Sequence, residues 1–265
     1  MEKETSSCKP IEESALKSFR SHSPLKEVRY IIAVGSGKGG VGKTTLSVLL
    51  SLALKEEGFL VGLYDLDFYG PNSSLLLSSK KEEPIRDPEG YKPLNLEGIK
   101  VMSLSFMLSE REPVFMRGLL AAKLLQELTQ RVIWGPLDFL ILDLPPGTGD
   151  IFLSMLDLFS PDGFILITTS HKLSLADSLR TVSILKEKKV PILGVIKNMS
   201  NLFGGREEAF RKFLEDIKAP LLFELPFLEE FSEKETLPEI FSKSEKRELL
   251  QGLAKEVLKR IFRIH

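Results

Sequence analysis

Gly37-Lys38-Gly39-Gly40-Val41-Gly42-Lys43-Thr44 is a run of residue types suited to holding phosphate. It fits the pattern G-x-x-x-x-G-K-[ST], and the mechanism behind that pattern is physical. The glycines let the backbone curl so that successive N–H groups point inward at phosphate oxygens. Thr44 and Thr45 open a helix whose first turn adds partial positive charge. Lys43 brings a full charge to the β- and γ-phosphates, and the Thr44 hydroxyl is a ligand for Mg²⁺. Accidental matches occur in on the order of 1% of chains this long, and a strand before the loop with a helix after it lowers that chance. Gly37, Lys38, Gly39, Gly40, Val41, Gly42, Lys43, Thr44 and Thr45 are therefore expected to line a nucleotide, with ATP and Mg²⁺ as the bound species.

Carboxylates complete the chemistry. Phe139-Leu140-Ile141-Leu142-Asp143 is an apolar strand ending in an acid, which places Asp143 at the sheet edge where ligands bind. Asp143 is expected to hold Mg²⁺ through water; the plain alternative is a helix N-cap. The loop Pro145-Pro146-Gly147-Thr148-Gly149-Asp150 follows, stiffened by its prolines, with Gly147 free to offer its N–H to a γ-phosphate. Leu63-Tyr64-Asp65-Leu66-Asp67 ends another strand. Asp65 is expected behind the metal's direct ligands, and Asp67 is the candidate to orient or deprotonate the attacking water. Turn formation before Tyr69-Gly70-Pro71 is the alternative for that pair.

These residues need a scaffold that brings several strand ends together. Short apolar runs recur at Tyr30–Val34, Leu60–Tyr64, Lys100–Leu104, Phe139–Leu142, Phe164–Thr168, Ile192–Ile196 and Leu221–Leu225. Helical stretches separate most of them, among them Thr45–Lys55, Leu119–Leu128, Leu175–Lys186 and Glu207–Ile217. Nearly continuous apolar strands alternating with helices are what a parallel sheet covered on both faces requires. The reading is a single doubly wound, mostly parallel α/β sheet with helices on both faces and no internal repeat. Residues 1–27 lack periodicity and read as a mobile tail, leaving 28–265 as the ATPase domain. Lys80–Pro93 reads as an exposed loop or hairpin. Leu249–Ile264 forms an amphipathic helix with Leu250, Leu253, Val257, Leu258, Ile261 and Phe262 near one face. Packing on its own domain is favoured for that face over membrane contact.

Composition narrows the classes. A formal net charge of −1 across 265 residues gives no basic field for nucleic acid. Cys8 is the sole cysteine, so no intrachain disulfide exists and a reducing compartment fits. Without an apolar span of roughly 18 residues or a secretory leader, a cytoplasmic location is expected.

Lys38, inside the phosphate loop, has a plain reading as a solvated cation. A lysine in this place also resembles the deviant Walker A group that includes MinD, ParA, nitrogenase iron protein and ArsA. There the lysine reaches across a dimer to the partner's nucleotide, acting like an arginine finger in trans. More specifically, Asp143-Leu144-Pro145-Pro146-Gly147-Thr148-Gly149-Asp150, Asp65–Asn72, Pro113–Gly118 and Gly194–Ser200 together resemble the Mrp/ApbC family of iron–sulfur cluster carrier ATPases. The likeness runs from about residue 28 to about 240, in the family's order. It implies a homodimer with nucleotide near its interface, adenine read by Asn198, and a metalloprotein or assembly-factor partner. Cluster-carrying members have a C-x-x-C soon after the N-M-S segment, where this chain reads Asn201-Leu202-Phe203-Gly204-Gly205-Arg206. Clusters normally need four thiolates. His22, His171 and His265 are scattered, which leaves Cys8, an incidental thiol or a ligand completed by another protein. The expectation is a slow, partner-regulated ATPase assisting iron–sulfur protein maturation. The alternatives are a MinD- or ParA-like positioning switch, a redox protein like nitrogenase iron protein, and a small-molecule kinase.

Overall fold

The computed structural model describes residues 25–67, 73–78, 84–107, 119–202, 207–232, 236–242 and 244–264. Cys8, His22, His265, the Tyr69–Asn72 and Pro113–Gly118 motifs and residues 203–206 lie outside them. In chain order the elements are β1 (Val28–Gly35), α1 (Lys43–Glu56), β2 (Val61–Asp65), α2 (Ser73–Leu77), β3 (Ile85–Asp87), β4 (Gly90–Lys92), β5 (Leu94–Leu96) and β6 (Ile99–Ser103). Then follow α3 (Leu104–Met107), α4 (Leu119–Gln130), β7 (Leu137–Asp143), α5 (Asp150–Phe159), β8 (Gly163–Thr168), α6 (Lys172–Glu187), β9 (Ile192–Asn198), α7 (Glu207–Ile217), β10 (Leu221–Leu225), α8 (Leu237–Phe241) and α9 (Ser244–Ile264).

Eight strands form one sheet in the order β10-β9-β8-β1-β7-β2-β6-β5. Its pairings are parallel except at the β5–β6 edge. The side-chain alternation of a strand divides two cores. From β1, β7 and β8, Ile32, Val34, Phe139, Ile141, Ile165 and Ile167 enter one cluster with α1, α8 and α9. Ile31, Ala33, Leu140, Leu142, Phe164 and Leu166 enter the other with α4, α5, α6 and α7. Both faces of these strands are thus buried, and this is why the runs read as continuous apolar stretches. Lys80–Pro93 contains the two-stranded β3–β4 hairpin, and the next three residues become the antiparallel edge strand β5.

Helix α1 follows the phosphate loop and is buried nearly all round, by Leu46, Val48, Leu49, Leu50, Leu52, Ala53 and Leu54, because α9 covers the side turned away from the sheet. It stops at Gly58, whose φ of +90° permits the bonds Gly58 N to Lys55 O and Phe59 N to Leu54 O that close a helix end. The apolar face of α9 (Leu250, Leu253, Ala254, Val257 and Ile261) is buried against this same core. Phe262, expected on that face, is instead 49% exposed. Leu25 is buried just ahead of β1, where Val28 N bonds its carbonyl.

Candidate functional site

The phosphate loop leaves β1 between β7 and β8, where successive crossovers turn to opposite sides of the sheet. A crevice opens at such a switch point. Gly40 (φ +75°) and Gly42 (φ +82°) occupy the left-handed region, so side chains there would be strained. Gly37 is constrained by space: a Cβ would collide with the backbone of Asp177 in α6. That stretch of α6 is held by a buried hydroxyl cluster, in which Thr168 Oγ1 meets Ser174 Oγ at 2.9 Å and Ser178 Oγ at 3.0 Å. Within the loop, Ser36 Oγ donates to the Lys38 carbonyl at 2.9 Å. Lys38 itself is half-buried, as are Thr44 and Thr45 at the helix start.

Lys43 points into the sheet edge. Its Nζ lies 2.6 Å from Asp143 Oδ1 with both side chains buried. Ser47 Oγ, one helical turn further, donates to the same oxygen at 2.9 Å. Asp143 Oδ2 is buried with no hydrogen-bond partner among the described residues. An orphaned carboxylate oxygen beside the Thr44 helix turn fits a hydrated divalent cation. No cluster of three or more His, Cys, Asp or Glu side chains suited to a metal occurs among the described residues. The Thr44 hydroxyl and the orphaned Asp143 oxygen are groups of the kind that share Mg²⁺ with phosphate oxygens and water.

Asp65 is the register partner of Asp143 on the neighbouring strand. Burial, reinforced by the Asp143 charge, pushes its carboxyl up to about 6. Its oxygens accept the backbone N–H groups of Asp67 and Ser73, each at 3.1 Å. Asp65 thus shapes the loop that carries Asp67, itself half-buried. Gly147 (φ +92°) donates its N–H to the Ser36 carbonyl at 3.2 Å. The donor expected to face phosphate ties two loops together here, and offering it to a ligand requires that bond to break. Asn198, 5% exposed at the end of β9, donates Nδ2 to the Val41 carbonyl at 2.8 Å and sits against Gly42. A carboxamide keeps a second donor hydrogen and an acceptor after one such bond.

The phosphate loop, Asp65, Asp67, Asp143, Gly147 and Asn198 converge on one edge of the sheet. His171 lies elsewhere in role, capping α6 by accepting the Leu173 N–H on Nδ1. Two residues escaped sequence reading. Ser47 had a local signal, its i+4 spacing from Lys43. Lys197 is buried beside Asn198, with its ammonium between Glu207 (2.5 Å) and Glu224 (3.1 Å) and over the Phe210 ring; its partners depend on tertiary contacts.

A family model described as ParA, NUBPL iron-transfer P-loop NTPase, matches residues 27–262. The iron-sulfur cluster carrier protein of Rickettsia felis is 35% identical over 225 residues, 85% of this chain and 69% of that protein. Against relatives of the same name in Aquifex aeolicus, Haemophilus influenzae and Escherichia coli, the chain spans about half of their length, 48% to 51%. Among solved structures, a nucleotide-binding protein of Archaeoglobus fulgidus in complex with ADP aligns with TM-score 0.66 and 30% identity, over 90% of this chain and 93% of that one. The septum site-determining protein MinD of Pyrococcus horikoshii, complexed with Mg-ADP, aligns with TM-score 0.66 and 25% identity, over 90% and 99%.

Proposed function

The chain belongs to the ParA/NUBPL family of iron-transfer P-loop NTPases, and from that membership we propose a MgATP-driven dimeric switch that assists maturation of iron–sulfur proteins. The observation that carries the nucleotide reading is the buried Lys43–Asp143–Ser47 junction with Asp143 Oδ2 unpaired beneath the phosphate loop. When MgATP enters, loop N–H groups receive the phosphates and the Lys43 ammonium moves from Asp143 to the β- and γ-oxygens. Thr44, and through water Asp143 with Asp65 behind it, would hold Mg²⁺, which would supply positive charge to the phosphates. Asp67 orients a water in line with the γ-phosphorus. Its oxygen bonds phosphorus as the bond to the ADP oxygen breaks, and its proton passes to Asp67 or to the departing phosphate. Lys38 from the second copy neutralises the developing charge. Asn198 bridges the loop and the adenine edge.

The residues do not fit direct carriage of a cluster. One cysteine per chain gives a homodimer two thiolates, against the four a cluster takes. Nucleotide state then governs the hold on a metalloprotein or assembly factor that owns the ligands, with hydrolysis slow until that partner binds, in the cytoplasm. Anaerobic reconstitution with iron and sulfide, beside a Cys8→Ala control, tests this. No cluster is expected in either protein; stoichiometric, Cys8-dependent iron with a cluster spectrum contradicts it.

The likeness to MinD favours a second reading, a positioning switch that acts at a membrane or on a protein. The burial of the α9 apolar face speaks against a membrane role for that helix. ATP-dependent sedimentation with liposomes that is lost on deleting residues 245–265 would favour it.

A further inference from the structure

Beyond Asn198 the chain leaves β9 through Met199, a non-glycine residue with φ of +53°. Leu202 N bonds the Met199 carbonyl at 3.1 Å, so 199–202 is a tight turn. Pairing between β9 and β10 ends formally at Asn198 opposite Leu225, yet it continues. Ser200 N donates to the Leu225 carbonyl at 3.1 Å. Asn201 then extends the ladder with its side chain: Nδ2 donates to the Phe227 carbonyl at 3.2 Å, and Oδ1 accepts the Phe227 N–H at 2.6 Å. A carboxamide offers donor and acceptor together, so it stands in for a strand partner. On the opposite flank of the same turn, Met199 Cε lies 3.9 Å from where a Gly42 Cβ would sit, and Asn198 holds the Val41 carbonyl. One short turn therefore connects the loop after β10 to the phosphate loop, and Asn201 fastens its outer end.

We propose that Asn201 is a positioning residue for the base side of the nucleotide site. By stapling Phe227 to the turn, it sets the height of Met199 and Asn198 beside the phosphate loop, where a base must lie if Asn198 reads it. The inference rests on that reading of Asn198. Asn201 is exposed and its side-chain bonds go to Phe227, whereas the junction is built from Lys43, Asp143 and Ser47, so its removal leaves the phosphate contacts intact. The residue type is demanding: aspartate keeps the acceptor for the Phe227 N–H but turns a second acceptor toward the Phe227 carbonyl.

Calorimetric titration of the full chain with MgATP, and separately with magnesium tripolyphosphate, separates base from phosphate. Wild type, Asn201→Ala and Asn201→Asp would be compared, with melting curves confirming that each is folded. Loss of both hydrogen bonds in Asn201→Ala, and of one with two acceptors brought face to face in Asn201→Asp, is expected to weaken MgATP about tenfold in both variants and to leave tripolyphosphate affinity unchanged. Unaltered MgATP affinity in both variants overturns the proposal. A parallel loss of both ligands also overturns it, because the residue would then merely support the fold. If wild type itself binds neither ligand, the nucleotide reading fails and the Asn201 proposal with it.

Discussion

Lys43 and Asp143 form an ion pair with both side chains buried. Removing one partner leaves an uncompensated charge in a site shielded from water, which costs about 3–5 kcal/mol. Lys43→Ala is therefore expected both to abolish MgATP binding and to lower the melting temperature by several degrees, read by calorimetry and thermal denaturation; an unchanged melting temperature would contradict the burial. Asp65 gives a pH signature. Its folded carboxyl sits at about 6, against an ordinary value of 3.8, because of burial first and the Asp143 charge second. A raised acid favours the folded state while protonated, so its stabilising contribution is complete below about pH 3.8 and is lost as pH rises through about 6. Asp65→Asn should remove this dependence. The difference in melting temperature between variant and wild type should then change between pH 4 and 7, and a constant difference would count against it.

Elements position these residues through contacts that sequence shows unevenly. The strand runs were legible because both-face burial leaves few polar residues, and Leu221–Leu225 and Glu207–Ile217 have the bounds their patterns suggest. Helix α5 was not, since Asp-Ile-Phe-Leu-Ser-Met-Leu-Asp-Leu-Phe is a short apolar run after a glycine-rich loop, in which helix and strand periods are hard to separate. The contacts of Gly147 with Ser36, and of Gly37 with α6, join positions more than a hundred residues apart and leave no local trace. Gly37→Ala tests the second of these. Its methyl group meets backbone, not a flexible side chain, so a loss of about 1–3 kcal/mol with weakened phosphate binding is expected in denaturant titrations. Lys197 ties β9 to α7 and β10. Burial alone would lower its ammonium pKa, but bonds to Glu207 and Glu224 outweigh that and hold it above the ordinary 10.5. Its contribution to stability is present through neutral pH and lost only as pH rises past that value. Lys197→Met should lower the melting temperature at pH 7, with Lys197→Arg recovering part of it.

At the scale of the molecule, the doubly wound sheet gathers the ends of β1, β2, β7 and β9 at one edge, and everything proposed for catalysis except the second lysine comes from a single copy. That division makes concentration the decisive variable. If Lys38 acts in trans, activity requires two chains, and chains lacking Lys38 remain able to bind nucleotide while failing to complete each other's sites. The absence of a C-x-x-C was legible in the sequence, whereas no residue spacing names a partner protein. The most direct test of a lysine acting in trans is the rate of MgATP hydrolysis per protomer, measured across protein concentration for wild type beside Lys38→Ala. The specific rate is expected to climb as dimers form in wild type and to stay near zero in the variant at every concentration. A specific rate independent of concentration, or equal in both proteins, would contradict it.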